Sequence, residues 1–183
     1  MELFEALDNI EISSRFSDEG AFNTKSSKDF FVNLVLNNIH FAEDDVFVDV
    51  GCGFGKVLSL LHSRCNIKII GVEIDPIIAD IARIRVKNMD NVVVVTGNIL
   101  ECKSVINEGT VFYLFNPFNS DVLDKFLTTV EKNCHKDVRV VYSNDVFKQV
   151  FEQHHWEKIP YDQFIFIEQT GGISVWKQNL SLL

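Results

Sequence analysis

The sequence predicts an α/β fold with a mostly parallel sheet, and two observations carry this prediction. From Asp45 onward, strand-like segments alternate with segments that have helical periodicity, which is the order of elements in a sheet with helical crossovers. The first strand-like segment, residues 46–50, also runs into a glycine-rich turn that a helix-like pattern follows at once. Such a strand–turn–helix unit is typical of parallel sheets that bind ligands at their strand ends.

The elements follow in a regular order along the chain. Apolar, β-branched runs predict strands over residues 46–50, 67–73, 92–95, 110–115 and 138–142. Helices are predicted over residues 27–40, 55–64 and 146–154, and also from Pro76 and from Ser120 onward. Residues 164–168 and 173–176, joined around Thr170-Gly171-Gly172, predict a closing hairpin.

Two of these helices have clear start signals. Asp75 precedes Pro76, so we expect an acidic N-cap followed by proline at the first helical position. Ser120-Asp121 is expected to cap the later helix. The helix after Pro76 is predicted to bury one apolar face made of Ile77, Ile81 and Ile84 with the neighbouring Ile78 and Ala82.

Length and composition indicate a single globular domain. The chain has 183 residues, of which 46% are apolar and 23% charged, enough for a substantial core. Residues 1–45 stand apart as an N-terminal helical or lid segment, and residues 46–183 form the main domain. Within the first part, residues 15–26 are either a lid over a ligand or a loop that only packs on the surface.

Charge and cysteine usage limit the partners and the compartment. The formal net charge of -9 argues against a nucleic-acid partner, because phosphate binding depends on clustered Lys and Arg. The four cysteines show no metal-binding spacing and are expected to be free thiols, and no metal site is predicted. The acidic N-terminus lacks signal-peptide features and no apolar run could span a bilayer, so we expect a cytoplasmic protein with no membrane partner.

The turn after the first strand contains the most informative motif. Its three glycines have G-x-G-x-G spacing, and the position that would complete G-x-G-x-x-G is Lys56. Glycines let the backbone approach a ligand closely at the start of a helix. Asp49 precedes them, and a carboxylate there would repel a pyrophosphate but attract a ligand that carries positive charge.

This motif resembles the first motif of the class I S-adenosylmethionine (SAM)-dependent methyltransferases, [D/E]-x-G-x-G-x-G. SAM carries a sulfonium and an ammonium, which fit the carboxylate. The resemblance implies a Rossmann-like three-layer sandwich with a seven-stranded, mostly parallel sheet and an antiparallel terminal strand. It implies that SAM is the cofactor, bound at the first turn by Asp49, Gly51, Cys52, Gly53 and Gly55.

The resemblance extends to the next two strand ends. Glu73 occupies the place of the acid that binds the SAM ribose, and Ile74 would flank the adenine. Asn98 and Ile99 occupy the place that contacts the adenine, although Asn98 also suits the cap of a helix from Ile99. Asp75 is interpreted as an N-cap, and Cys52 as a small residue that fills space beside the cofactor.

The segment Phe115-Asn116-Pro117-Phe118 is a partial match to the Asn-Pro-Pro-aromatic motif of amino-group methyltransferases. Small bacterial class I members of undefined substrate carry a similar Phe-Asn-Pro-Phe version. The resemblance implies that Asn116 binds near the methyl group and orients the acceptor, with Phe118 and Tyr142 as candidate substrate contacts. An Asn-Pro turn also needs no function. Residues 142–145 lie where substrate contacts would fall, but Asn144 or Asp145 is interpreted as the cap of the next helix.

The sequence therefore predicts a SAM-dependent methyltransferase that acts on a small-molecule or protein nucleophile, with an amine as one candidate. Two alternatives remain open: a SAM-binding regulatory protein without turnover, and a nicotinamide-dependent oxidoreductase. Neither the acceptor nor the oligomeric state is specified by the sequence.

Overall fold

A seven-stranded sheet forms the centre of the computed structural model, which describes residues 2–25, 29–134, 137–160 and 172–178. A separate two-stranded ribbon lies in the N-terminal segment. The strands are β1 (Glu11–Ile12), β2 (Thr24–Lys25), β3 (Val46–Val50), β4 (Lys68–Glu73), β5 (Val92–Thr96), β6 (Val111–Phe115), β7 (Arg139–Ser143), β8 (Glu157–Ile159) and β9 (Ile173–Lys177).

The large sheet has the order β5-β4-β3-β6-β7-β9-β8. Its first five strands are parallel, whereas β9 pairs antiparallel with both β7 and β8. This confirms the predicted sheet with an antiparallel terminal strand. The predicted hairpin strand 164–168 lies outside the described residues, and the sequence analysis did not predict β8.

Helices cover both faces of this sheet. They are α1 (Glu2–Leu7), α2 (Asp29–Asn38), α3 (Lys56–His62), α4 (Pro76–Val86), α5 (Lys103–Glu108), α6 (Ser120–Asn133) and α7 (Gln149–Gln153). One core joins α2, α3 and α4 to the sheet, and a second joins α5, α6 and α7 to the opposite face. In the described part of the chain, none of the helices combines the length and apolar character needed to cross a membrane.

Helix α4 buries only part of the predicted apolar face. Ile77 and Ile84 are 60% and 59% exposed, whereas Ile78, Ala82 and Val86 are buried. The small Ala82 side chain faces the glycine turn, where a Cβ on Gly55 would lie only 3.3 Å from the Ala82 Cβ. Close packing of the helix against the turn therefore selects the alanine face.

The predicted cap of α6 is shifted by one residue. The Asn119 side chain, and not Ser120-Asp121, accepts the hydrogen bond from the Val122 N–H at 3.0 Å. Asn119 has extended backbone angles, as an N-cap requires, whereas Ser120 is already helical.

Gly71 gives a stability prediction, since its position in β4 leaves no room for a side chain. A Cβ there would lie 2.6 Å from Leu58 Cδ1 and 2.8 Å from Cys52 Sγ. We expect Gly71→Ala to lower the free energy of unfolding by about 1–3 kcal/mol, as overpacked cores do. Urea denaturation would measure this, with exposed Ile77→Ala as a control that should change it by less than about 0.5 kcal/mol. Equal midpoints for both variants would contradict the packing argument.

Candidate functional site

The carboxyl ends of β3, β4, β6 and β7 border a cavity of about 490 Å³. The other wall comes from the N-terminal segment, here called the strap and defined as residues 14–25. The lining residues from the sheet side include Asp49, Gly51, Cys52, Gly53, Glu73, Ile74, Tyr113, Phe115, Asn116 and Asn144. Most of the predicted site residues therefore meet at one place.

The glycine turn forms the floor of this cavity. Gly51, Gly53 and Gly55 have φ values of 75°, 53° and 75°, a left-handed conformation that strongly favours glycine. The N–H groups of Gly51 and Cys52 donate to the Val72 carbonyl at 2.8 and 3.0 Å, which fastens the turn to β4. The turn thus has a fixed shape from which its backbone can meet a ligand.

Glu73 braces this turn from the end of β4. Its carboxylate accepts hydrogen bonds from the Gly53 N–H at 2.9 Å and from the Asp75 N–H at 3.0 Å. Burial is the main cause that raises the pKa of this carboxyl. Because each oxygen has a further lone pair, Glu73 can accept ligand hydroxyl groups as well, and its role toward ribose stays a prediction.

Asp49 is the most unusual group at the site. It is 3% exposed, and its Oδ2 finds no hydrogen-bond partner within the described residues. Burial, and then the charge of nearby Glu73, raise its pKa to about 8. A buried carboxylate without a partner is costly unless a positive charge compensates it, so this pocket fits a cationic ligand such as SAM.

Asp75 is an N-cap, as interpreted from the sequence. Its Oδ1 accepts hydrogen bonds from the N–H groups of Ile77 and Ile78 at the start of α4. It also pairs with Arg15 of the strap, whose Nε donates to Oδ2 at 2.8 Å. The hydrogen bond from Arg15 is the main cause that lowers the pKa of Asp75. Because Asp75 pairs with Arg15, this N-cap also fastens the strap over the cavity.

A smaller cavity of about 50 Å³ lies beside the first, where the adenine of SAM is expected. Ile74, Asn98 and Ile99 line it, together with Glu19 of the strap. Asn98 Oδ1 accepts the Leu100 N–H at 3.0 Å, and its Nδ2 donates to Glu19 at 3.3 Å. The helix predicted from Ile99 begins only at Lys103, so Asn98 closes a local turn and does not cap a helix.

Asn116 faces the larger cavity, held by a buried partner. It has a left-handed φ of 43° at the end of β6, and its Oδ1 accepts a hydrogen bond from the Tyr142 hydroxyl at 2.9 Å. Burial raises the pKa of Tyr142, so the hydroxyl stays protonated and keeps donating. Asn116 is thereby fixed in orientation, with a second lone pair left on its oxygen.

The structure corrects the predicted substrate contacts Phe118 and Tyr142. Tyr142 is buried against Phe151 and lines neither cavity, so it acts on Asn116 from behind. Phe118 is 6% exposed, packs on Phe126, and borders only the smaller cavity. Side chains alternate between the faces of a strand, and in β7 this alternation directs Tyr142 toward α7 and away from the larger cavity.

Asn144 and Phe22 are among the residues of the larger cavity that were not predicted as site residues. Asn144 was interpreted as a cap, yet α7 begins at Gln149, and Asn144 lines the cavity with a left-handed φ of 56°. Asn144 directly follows β7, and Asn116 directly follows the neighbouring strand β6. This shared position at the strand ends could have identified Asn144 as a cavity residue. Phe22 of the strap lines the same cavity. It lies in the segment 15–26 that the sequence left open as a lid or a surface loop, and no local pattern singled it out within that segment.

The two neighbouring acids give a test of their assigned roles. We expect Glu73→Ala to weaken SAM binding by about 1–3 kcal/mol, because the contact with the Gly53 N–H of the turn and the predicted ribose acceptors are lost. Asp75→Ala should mainly lower the free energy of unfolding, by about 1 kcal/mol for a lost N-cap. Calorimetric SAM titration and thermal unfolding of both variants measure this. A larger loss of SAM affinity in Asp75→Ala would show the two roles to be reversed.

Comparisons with known proteins agree with this geometry. The model of a family described as "Methyltransferase domain" matches residues 47–137. The chain is 28% identical over 112 residues to an rRNA adenine N-6-methyltransferase of Limosilactobacillus reuteri, covering 57% of this chain and 46% of that protein. It is 27% identical over 124 residues to ribosomal RNA small subunit methyltransferase A of Fusobacterium nucleatum, covering 60% and 47%. The chain thus spans about half the length of these curated relatives.

The fold also matches that of a solved methyltransferase structure. An RNA methyltransferase from Salinibacter ruber in complex with S-adenosyl-L-homocysteine (SAH) superposes with a TM-score of 0.61 at 22% identity, covering 82% of this chain and 90% of that one.

These comparisons overturn one expectation. The expectation that nucleic acid is not a partner is wrong, because both curated relatives are named for ribosomal RNA. It rested on a net charge of -9, and a sum over the whole chain does not describe the field around one cleft.

Proposed function

Since the chain belongs to the class I SAM-dependent methyltransferases, we propose that it transfers the SAM methyl group to an exocyclic amino group of a nucleic-acid base. The observation that carries the proposal is that Asp49 and Asn116 border the same cavity. One is a buried carboxylate suited to a cation, and the other is a fixed amide oxygen suited to an N–H donor.

SAM supplies a methyl carbon on a positively charged sulfur, which leaves as a neutral thioether. Transfer forms the N–C bond, breaks the S–C bond and leaves one extra proton on the nitrogen, which passes to solvent after transfer. Catalysis therefore depends on positioning and on exclusion of water during the transfer. Asp49 and the braced glycine turn hold the cofactor end of the cavity. The Asn116 oxygen, kept in place by Tyr142, accepts a hydrogen bond from the acceptor N–H and aligns the nitrogen with the methyl group.

Three lines of support favour a base amino group over other amines. The partial Asn-Pro-aromatic motif resembles that of amino-group methyltransferases, and the curated relatives are named as methyltransferases of ribosomal RNA, one of them at adenine N6. The cavity wall also includes the aromatic side chains of Phe22 and Phe115, which suit a planar heterocycle. We therefore take an adenine amino group in RNA as the proposed acceptor.

The experiment is transfer of label from [methyl-³H]SAM to purified ribosomal RNA, transfer RNA, protein and a panel of small amines. We expect label in RNA, recovered after nuclease digestion as N6-methylated adenosine. Label in protein or small amines alone would remove RNA from the proposal and keep the methyltransferase. Binding of NADH without binding of SAM or SAH would overturn both the RNA acceptor and the methyltransferase activity.

A further inference from the structure

The aromatic residue that follows Asn116-Pro117 does not face the larger cavity. Phe118 is buried, and its ring centroid lies 6.0 Å from that of Phe126 in the core. A flat acceptor positioned by Asn116 would therefore have to stack on an aromatic side chain from another part of the chain.

The strap supplies a candidate, because it pairs directly with this turn. Ala21 forms an antiparallel bridge with Phe118. The Phe22 N–H donates to the Pro117 carbonyl at 2.9 Å, and the Asn119 N–H donates to the Gly20 carbonyl at 3.0 Å. The approach is so close that a Cβ on Gly20 would lie 2.7 Å from Val122. Phe22 is thus attached by its backbone to the residue after Asn116.

The Phe22 side chain is placed to meet a ligand. It lines the larger cavity together with Asn116 and Phe115, and it is 41% exposed, which leaves a large apolar surface open to a ligand. Its ring stacks on that of Phe147 at a centroid distance of 6.4 Å and an interplanar angle of 24°. Phe147 supports the ring from one side.

We infer that Phe22 is the aromatic wall of the acceptor site, against which the planar ring of a nucleobase stacks while the Asn116 oxygen accepts its amino N–H. This inference rests on the proposed function and assigns the specificity for flat heterocycles to the strap. The backbone bonds of Phe22 do not depend on its side chain, so the ring can be removed while the bridge to Phe118 is kept.

The test uses the free ribonucleotide of 2-aminopurine, which has no neighbouring bases and whose fluorescence falls when the base stacks, added to the SAH-loaded protein. The wild type should bind the probe and quench its fluorescence. Phe22→Ala should raise the probe Kd roughly 5- to 100-fold, the range for loss of one base–aromatic stack, and should remove the quenching, whereas Phe22→Trp should restore both. The matched control is Ile10→Ala, since Ile10 is also exposed near the N-terminus but does not line the cavity. It should behave as the wild type.

Calorimetric SAH binding shows that each variant is folded, and it should be unchanged by Phe22→Ala. Equal quenching by the wild type and Phe22→Ala, or no probe binding by the wild type, would overturn the role of Phe22. Transfer of label to RNA is measured separately with the wild type. A protein that methylates RNA but shows no dependence on Phe22 keeps its proposed function and loses only this inference.

Discussion

Replacement of Asn116 by alanine is expected to lower the turnover number about 100-fold while the SAM dissociation constant changes little. The Asn116 oxygen is held by the Tyr142 hydroxyl at 2.9 Å, so it is already oriented before the acceptor arrives. Loss of one such preorganised hydrogen bond commonly reduces turnover by about 10²–10³-fold. An interaction that is strongest in the transition state affects turnover more than cofactor binding. Single-turnover rates with labelled SAM, and calorimetry with SAH, measure the two quantities.

Two further variants test whether Asn116 acts by positioning the acceptor or whether its loss disrupts the site as a whole. Asn116→Asp keeps an acceptor oxygen for both Tyr142 and an amino group, so it should retain more activity than Asn116→Ala. Tyr142→Phe removes only the supporting hydroxyl and should lower turnover by an intermediate amount. If wild type, Asn116→Asp and Asn116→Ala turn over equally, the Asn116-Pro117 segment is only a turn, and the amino-group proposal should be abandoned.

SAM affinity is expected to rise with pH between about 5.5 and 7.5, by up to tenfold per pH unit. In the free protein the pKa of Asp49 is raised to about 8, so this carboxyl is mostly protonated in that range. A bound cation favours the ionised form and lowers this pKa. Binding therefore releases a proton, and each pH unit below 8 weakens it by up to 1.36 kcal/mol. Calorimetry in buffers of different ionisation enthalpy counts the protons released.

Asp49→Asn is the matched control, because it removes the titrating group with little change in shape. It should bind SAM weakly and with a flatter pH profile. Glu73 faces the same cavity and its pKa is also raised, so a residual slope in Asp49→Asn would report on Glu73. The measurement stays below pH 7.5, because an α-amino group such as that of SAM titrates at about 8. A wild-type affinity independent of pH would show that Asp49 does not compensate the cation.

The sequence contained enough information to predict that most of the proposed cofactor-binding residues lie around one cavity. Asp49 lies one residue before the end of an apolar strand, Glu73 ends one and Asn116 directly follows one, and parallel strands bring their carboxyl ends to one edge. Asp75 was recognised because an acid before proline is a local signal for a helix start. These features depend on short stretches of chain, which is why a single sequence was sufficient.

The acceptor side could not be predicted in the same way. Phe118 and Tyr142 were placed at the right strand ends, but the packing of α6 and α7 turns them into the core. Phe22 reaches the site only because the strap pairs with the turn after β6, a contact between distant parts of the chain. The buried face of α4 was predicted only in part for a similar reason, since close packing of Ala82 near Gly55 decides it.

The bridge between Ala21 and Phe118 also bears on folding and local opening. It joins distant positions by two backbone hydrogen bonds, from the amides of Phe22 and Asn119. Contacts of large sequence separation form at high entropic cost, and a short pairing at the edge of a structure can open without global unfolding. Hydrogen–deuterium exchange at these two amides should thus be faster than in the central strands. Their exchange rates would report how often the strap, which carries Phe22, separates from the turn after β6 when no substrate is bound.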